Sequence, residues 1–183
     1  MIGVSLDSTN CMDERITLSG SSYLESIHEM VKGRPPKIDL NLEVSVQAFI
    51  RDSISKDLLS SAHDVSDGGI AVALAESCIT SGLGANIDLP YNDIRLDRLL
   101  FAEGGPRILV SIVSEKLAEW KAFLREANAL HSGSVPALRL GTVTEKPDLE
   151  INYGRTNLVQ LSIQKMMDAY EDAIPRRMGD RKN

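Results

Sequence analysis

Cysteine and histidine are scarce in this sequence of 183 residues. The two cysteines, Cys11 and Cys78, stand far apart and outside any Cys-x-x-Cys pair, which excludes a disulfide framework and a structural zinc site. Cys78 falls in an apolar helical stretch, so we expect a buried and unreactive thiol. The histidines are too scattered to suggest a metal cage: His28, His63 and His131.

Long apolar runs and clustered positive charge are also missing. No apolar stretch is long enough to span a bilayer, and the first residues lack the charged start and apolar core of a signal peptide. The net charge is −6, whereas nucleic acids and anionic membranes attract clustered Lys and Arg. The densest basic run, from Arg176 to Lys182, lies at the C-terminus and indicates a solvated tail. We therefore expect a cytoplasmic protein with no nucleic-acid and no membrane partner.

Strand and helix patterns alternate through the middle of the chain, and three strand patterns follow one another near its end. Alternating apolar and polar residues, or short apolar runs, predict strands over 2–6, 15–18, 58–65, 85–89, 108–113, 137–144, 149–153 and 157–161. Apolar residues at helical spacing predict helices over 23–31, 70–80, 97–101 and 163–174, and two further helices are capped by Asp39 and Ser114. This order favours the α/β (α+β) class, as a layered α-β-α sandwich with a mixed sheet, over a doubly wound parallel sheet.

Several of these elements carry predictions about burial and domain limits. The β-branched run over 108–113 is the best candidate for a central strand. The helix capped by Asp39 has an apolar face made of Leu42, Val46, Phe49, Ile50 and Ile54. The last helix directs four side chains inward: Ile163, Met167, Tyr170 and Ile174. We divide the chain into an inter-domain strand or linker over 1–17, an α/β domain over 18–174 and a basic tail over 175–183.

The loop over 62–69, Ala-His-Asp-Val-Ser-Asp-Gly-Gly, joins a predicted strand to the start of a buried helix. A helix N-terminus offers unpaired N–H groups and partial positive charge, and Gly68 and Gly69 let the backbone approach a phosphate closely. The carboxylates of Asp64 and Asp67 would repel a bare phosphate. If both face the ligand, Mg²⁺ should therefore lie between these carboxylates and the phosphate. His63 could donate a hydrogen bond to a phosphate or carbonyl oxygen.

A purely structural interpretation of this loop stays open. Ser66 or Asp67 would then cap the helix, Gly68 and Gly69 would permit tight helix–sheet packing, and His63 would be a loop histidine bonded within the protein. The glycine spacing matches neither a Walker loop nor a dinucleotide fingerprint.

A second cluster, Phe-Ala-Glu-Gly-Gly-Pro-Arg over 101–107, precedes the central strand. Glu103 could accept a hydrogen bond from an amide or amine, and Arg107 could hold a phosphate through its planar fork. The alternative is a surface turn in which the two form a weak ion pair. No nucleophile stands at readable spacing from a base, so we assign no catalytic residue.

Three strings of the sequence together resemble a known family. They are Leu-Ser-Gly-Ser-Ser-Tyr-Leu over 18–24, Pro-Pro-Lys-Ile-Asp-Leu over 35–40 and the long string Ser-Ala-His-Asp-Val-Ser-Asp-Gly-Gly-Ile-Ala-Val-Ala-Leu-Ala-Glu over 61–76. Together with Leu-Phe-Ala-Glu over 100–103 and Arg107, they are similar to the C-terminal domain of phosphoribosylformylglycinamidine synthase (synthetase subunit II). That family belongs to the aminoimidazole ribonucleotide synthetase-like superfamily. The resemblance runs in order from Leu18 to Ile174.

The resemblance implies the fold of an aminoimidazole ribonucleotide synthetase C-terminal domain and a part in an ATP-dependent C–N ligase of purine biosynthesis. That enzyme converts formylglycinamide ribonucleotide to formylglycinamidine ribonucleotide with ATP, Mg²⁺ and ammonia from glutamine. The implied partners are the N-terminal synthetase domains of the same polypeptide, a glutaminase subunit and a small bridging subunit. The implied role is a detached domain, inactive alone, that borders an auxiliary ATP or ADP site.

By this resemblance, seven residues are candidates for binding nucleotide or phosphate: His63, Asp64, Ser66, Gly68, Gly69, Glu103 and Arg107. Asp64 and Asp67 are the candidate Mg²⁺ ligands. Ala102 replaces a frequent glycine of the family, and Gly104-Gly105-Pro106 replaces a more polar stretch, which fits a structural or nucleotide-holding role. Two alternatives stay open. One is another member of the superfamily (aminoimidazole ribonucleotide synthetase, selenophosphate synthetase or thiamine-phosphate kinase), and the other is a structural domain without a ligand.

Overall fold

The computed structural model describes residues 2–4, 14–90, 94–130, 134–171 and 173–179, and of residues 2–4, 130 and 175–177 only the backbone. The described strands are β1 (Ile2–Val4), β2 (Ser61–Asp64), β3 (Gly84–Leu89), β4 (Ile108–Ser111), β5 (Ala137–Leu138), β6 (Gly141–Thr144), β7 (Asp148–Tyr153) and β8 (Thr156–Ser162). The α-helices are α1 (Ser22–His28), α2 (Leu40–Ser55), α3 (Gly69–Ser81), α4 (Leu96–Phe101), α5 (Leu117–Leu130), α6 (Ile163–Glu171) and α7 (Ala173–Gly179), and a short 3₁₀ helix spans Ser114–Lys116.

The chain divides into two compact units. Unit 1 comprises Met1–Ala73 and Asn92–Leu140, and unit 2 comprises Leu74–Tyr91 and Gly141–Asn183. Each unit contains one four-stranded sheet. Within the described ranges, no helix combines the length and the apolar character that crossing a membrane requires.

The sheet of unit 1 is antiparallel, in the order β2-β4-β1-β5. Strand β4 lies between β2 and β1, and Leu109 and Val110 are buried there. The prediction of a central strand is therefore confirmed. A strand whose two faces are both covered needs apolar residues in succession. The register places Asp64, the last residue of β2, opposite Ile108.

The core of unit 1 is formed by α2, β4 and α5. The side chain of Asp39 accepts a hydrogen bond from the Leu42 N–H at 3.1 Å and caps α2, as predicted. The apolar face of α2 packs against Trp120, whose ring centroid lies 5.6 Å from that of Phe49. The buried residues of α2 are Leu42, Val46, Phe49, Ile50 and Ser53.

One residue of this predicted face, Ile54, is 55% exposed, so its prediction was wrong. In the last turn of α2 the core-facing position is Ser53, and Ile54 is rotated from it by about 100° around the helix axis. Apolar character alone does not decide which of two adjacent helical residues faces the core.

The sheet of unit 2 is mixed, in the order β6-β3-β7-β8. Strand β3 pairs antiparallel with β6 and parallel with β7, and β7 pairs antiparallel with β8. Ala85, Ile87 and Leu89 are buried in alternation with exposed Asn86 and Asp88, which is the pattern of a sheet with one covered face. The predicted α+β class and mixed sheet are confirmed, and the other four strands form a separate antiparallel sheet.

Three predicted elements differ from the structure. Residues 15–18 form no strand and contribute only the bridge between Thr17 and Glu103. The single strand expected over 137–144 is two strands, because β5 pairs in unit 1 and β6 in unit 2. The helix expected over 163–174 is described as α6 and α7, and it buries Ile163 and Met166 but exposes Tyr170 (62%) and Ile174 (70%). The buried residues of α6, Ile163 and Met166, lie in its first half, whereas Tyr170 lies in its last turn and Ile174 in α7. The inward prediction for Tyr170 and Ile174 was therefore wrong, and Met167 is half-buried.

Candidate functional site around the loop 63–69

The loop after β2 enters helix α3 through two glycines with positive φ. The φ angles of Gly68 and Gly69 are +76° and +68°, in the left-handed region that residues with a Cβ disfavour. A Cβ on Gly69 would lie 2.7 Å from the main-chain carbon of Phe101 and 2.8 Å from the carbonyl oxygens of Leu100 and Ala102. Since those neighbours are backbone atoms, only glycine fits at position 69.

Glu103 connects this loop to helix α1. Its Oε1 atom accepts a hydrogen bond from the Gly68 N–H at 2.8 Å and another from the Ser22 N–H at 2.9 Å. The main chain of Glu103 also pairs with Thr17 through hydrogen bonds of 3.0 and 2.9 Å. The carboxylate of Glu103 therefore holds two main-chain segments that are remote in sequence, and it accepts from amides of the protein itself.

Arg107 is buried beneath the same cluster, with 6% of its surface exposed. Its guanidinium donates to the Ala102 carbonyl at 2.6 Å and to the Gly104 carbonyl at 3.0 Å. Its own carbonyl accepts from the Val65 N–H at 2.9 Å, which fixes the start of the loop. Burial lowers the pKa of Arg107 to about 10, and the negative charge of Glu103 opposes part of that change. The guanidinium of Arg107 therefore bonds carbonyl groups of its own turn in this conformation.

The polar side chains of the loop are more accessible. Asp64, Ser66 and Asp67 are exposed, and His63 is half-buried on β2. The Ser66 hydroxyl donates a hydrogen bond to the Asp64 carboxylate, and this bond is the main reason that the pKa of Asp64 is lowered. Burial opposes the change slightly, and the charge of His63 supports it.

Mg²⁺ would find its protein ligands in Asp64 and Asp67, whose carboxylate oxygens are of the hard type that the ion prefers. Among the residues that the structure describes, no three His, Cys, Asp or Glu side chains converge in a way that could hold a metal ion. A cation here would therefore take its remaining ligands from water or from a bound phosphate.

Three of the segments that carry the resemblance meet at this place in unit 1. The loop 63–69, the cluster 101–107 and the segment that leads into α1 are brought together by Glu103. The ring of Tyr23 also stacks on that of Phe101, with centroids 4.7 Å apart. Sequence spacing gives no sign of these contacts, because Glu103 stands 81 positions from Ser22 and 35 from Gly68.

The remaining histidines lie elsewhere. His28 is exposed at the end of α1, with its ring centroid 5.3 Å from that of Tyr23. His131 lies outside the described residues.

Comparison with known families shows which family the chain belongs to. A family model described as "AIR synthase related protein, C-terminal domain" matches residues 6–154. The chain belongs to this family. The AIR synthase related C-terminal domain described here is 52% identical, over 98% of its length, to the phosphoribosylformylglycinamidine synthase subunit PurL of Prochlorococcus marinus (strain MIT 9313). It spans only 22% of that relative. The resemblance inferred from the sequence is confirmed.

Solved structures give the same fold for this AIR synthase related domain. PurLQS from Thermotoga maritima matches with a TM-score of 0.60 at 18% identity, over 81% of this chain and 24% of that one. PurL of T. maritima complexed with ATP matches with a TM-score of 0.60 at 16% identity, over 89% of this chain and 27% of that one. At these identities the likeness establishes the fold alone.

Proposed function

We propose that this chain is the C-terminal domain of a phosphoribosylformylglycinamidine synthase. The enzyme would convert formylglycinamide ribonucleotide to formylglycinamidine ribonucleotide, with ATP and glutamine-derived ammonia, in purine biosynthesis. The observation that carries this proposal is the 52% identity to a PurL subunit over 98% of the chain. The match covers 22% of that relative. The catalytic groups of the enzyme would lie in the N-terminal synthetase domains, as the family resemblance implies, and the isolated chain would be inactive.

Within such an enzyme, the loop 63–69 would border an auxiliary nucleotide site. His63, Asp64 and Ser66 would face ATP or ADP, since their polar side chains are accessible. Gly68 and Gly69 would contribute by shaping the loop, because both are buried and packed against other parts of the protein. Asp64 and Asp67 would hold Mg²⁺ against the phosphates.

Glu103 and Arg107 would contribute to this site by holding the loop. Each already bonds main-chain groups of the loop or of its supporting turn, at 2.8 Å for Glu103 and 2.6 Å for Arg107. The T. maritima PurL has been solved with ATP and with ADP, which supports a nucleotide beside a domain of this fold.

The partners would be the N-terminal synthetase domains of the same polypeptide, a glutaminase subunit and a small bridging subunit. The solved PurLQS complex of T. maritima supports subunits of this kind. Leu40 and Val44, one turn apart on α2, are exposed on the side away from the core and would be covered by a partner domain. The enzyme would act in the cytoplasm.

A chimeric enzyme tests the assignment. The matching region of the P. marinus subunit is replaced by this chain, and formation of formylglycinamidine ribonucleotide from ammonia and Mg²⁺·ATP is measured. We expect the chimera to be active, whereas this chain alone and the subunit lacking the region are inactive. A folded and assembled chimera without activity, or turnover by this chain alone, would contradict the proposal.

The role of the loop is tested in the same chimera by titration with Mg²⁺·ADP. We expect Asp67→Asn to weaken binding about tenfold, because it removes one charged ligand of the cation. The matched control is Asp52→Asn, an exposed aspartate of α2 outside the loop. Equal affinity of both variants would remove Asp67 from the site.

A further inference from the structure

A cavity of about 810 Å³ opens in unit 1, apart from the residues assigned above. Its walls come from the segment before α1, from α1, from the connector between α1 and α2, and from the start of α4. Neither the loop 63–69 nor Glu103 and Arg107 line it. Its volume is in the range of pockets for small molecules, about 300–1,000 Å³.

The charges around this cavity are unusual for such an acidic chain. Among the residues that the structure describes, Arg34, Lys37, Arg95 and Arg98 line it together with two carboxylates, Glu14 and Asp97. This described lining carries a surplus of two positive charges, whereas the whole chain has a net charge of −6. A cleft lined by one sign of charge concentrates ligands of the opposite sign.

The cations differ in how far they are engaged. Lys37 pairs with Glu14, and Arg95 pairs with Asp97 at 2.5 Å. Arg34 is exposed and makes no hydrogen bond and no ion pair with any residue that the structure describes. Its guanidinium is therefore available to a ligand in the cavity that Arg34 lines.

Arg98 lies deeper in the wall. It is half-buried, and its Nη2 donates to the Ile16 carbonyl at 2.8 Å, which fixes the side chain in position. A fixed cation contributes to anion binding without the entropy cost of ordering a free side chain.

The other described residues of the wall are apolar or bear hydroxyl groups, apart from His28. Leu18, Leu24, Met30 and Pro35 line the cavity beside the cations. The Ser19 hydroxyl also lines it and lies 3.1 Å from the Thr17 hydroxyl. A matching ligand therefore needs a doubly negative head group for the arginines and an apolar or flat body for the apolar part of the lining.

We propose that this cavity binds a small phosphorylated molecule, with the phosphate against Arg34 and the apolar body against Leu24 and Met30. A phosphate dianion matches the surplus of two positive charges, and its oxygens fit the guanidinium fork in a bidentate way. The inference does not depend on the proposed enzyme, because it uses only residues of this cavity.

The test is a titration of the full chain with phenyl phosphate, which combines a phosphate dianion with an apolar ring, followed by amide NMR shifts. We expect saturable binding, with the largest shifts in 17–37 and 95–98. Arg34→Gln should weaken binding about tenfold, as expected for loss of a charge-assisted bidentate contact. Arg51→Gln, which removes an exposed arginine of α2 outside the cavity, should leave the affinity unchanged.

Two further arms separate the parts of the site. Met30→Ser should weaken phenyl phosphate but leave the weaker binding of inorganic phosphate unchanged. Arg34→Gln should leave the affinity of the chimera for Mg²⁺·ADP unchanged, so that failure here and failure of the nucleotide role can be told apart.

Three outcomes would overturn the proposal. They are the absence of saturable binding, equal weakening by Arg34→Gln and Arg51→Gln, and tighter binding of hexaglutamate than of phenyl phosphate. The second would mean non-specific charge attraction, and the third would mean that an acidic peptide segment is the occupant.

Discussion

The substitution Gly69→Ala tests the packing of the loop on which the site depends. The added Cβ would lie 2.7 to 2.8 Å from three main-chain atoms of residues 100–102, and the φ of +68° is unfavourable for alanine. Neither the helix start nor the main chain of α4 can move without breaking other contacts. We therefore expect two separate penalties, one from backbone conformation and one from steric overlap.

The two penalties can be separated with a second glycine of the same unit. Gly20 has a φ of +70°, and a Cβ there would meet nothing within 4 Å, so Gly20→Ala measures the conformational cost alone. That cost is about 1–2 kcal/mol for an L-residue in the left-handed region. Overpacking typically adds about 1–3 kcal/mol, so Gly69→Ala should lose about 2–5 kcal/mol in free energy of unfolding.

Urea unfolding followed by tryptophan fluorescence is a suitable assay. Trp120 is the single tryptophan of the chain and lies in the core of unit 1, so the signal reports on the unit that contains both glycines. For a urea m-value of about 2 kcal/mol/M, the middle of the usual range, Gly69→Ala should lower the midpoint by about 1–2.5 M. If Gly69→Ala and Gly20→Ala destabilise the protein equally, the steric reasoning is refuted.

Three further predictions follow from other contacts. Glu103→Gln keeps an acceptor but removes its charge, and it should lower the free energy of unfolding by about 1–2 kcal/mol. Glu103→Ala leaves the Ser22 and Gly68 N–H groups without their acceptor and should lower it by about 3 kcal/mol or more in the same assay. Equal losses in the two variants would contradict the two-bond geometry. Burial raises the pKa of Cys78 from 9.0 to about 11, so the unfolded chain loses the thiol proton first and stability falls between pH 9 and pH 11. Denaturation followed by circular dichroism should show that the unsubstituted protein loses about 1–2 kcal/mol more free energy of unfolding than Cys78→Ala over that pH range. Parallel stability–pH profiles of the two proteins would refute this effect of Cys78. Ser21→Ala should cost about 1–2 kcal/mol by urea unfolding, because Ser21 is 1% exposed and its hydroxyl caps α1; a loss near zero would remove that cap from the account.

The sequence predicted those elements well in which one local pattern decides the outcome. In α2 the cap at Asp39 and the spacing of Leu42, Val46 and Phe49 define one face, and that face is buried in the structure. In β4 three apolar residues in succession, Ile108 to Val110, leave no polar face, which favours an interior position in the sheet.

Where the outcome depends on a distant partner, the pattern was insufficient. The alternation over 137–144 is that of a strand, but hydropathy does not indicate that β5 and β6 pair in different sheets. The alternation over 15–18 is equally regular, yet Thr17 finds a single bridging partner in Glu103. The hydrogen bond from Ser22 to Glu103 spans 81 positions, and no spacing rule connects residues so far apart.

The candidate residues of the loop fall into two groups, according to whether contacts within the protein already explain their presence. Gly68 and Gly69 are buried and are required by the main chain around them, so their presence in the sequence is explained without any ligand. Asp64, Ser66 and Asp67 are exposed, and the described contacts among them are confined to the bond between Ser66 and Asp64. Substitutions at the glycines would therefore test folding, and only those at the three polar positions can test nucleotide binding. A tenfold loss of Mg²⁺·ADP affinity in a polar variant with unchanged unfolding free energy would separate the two roles.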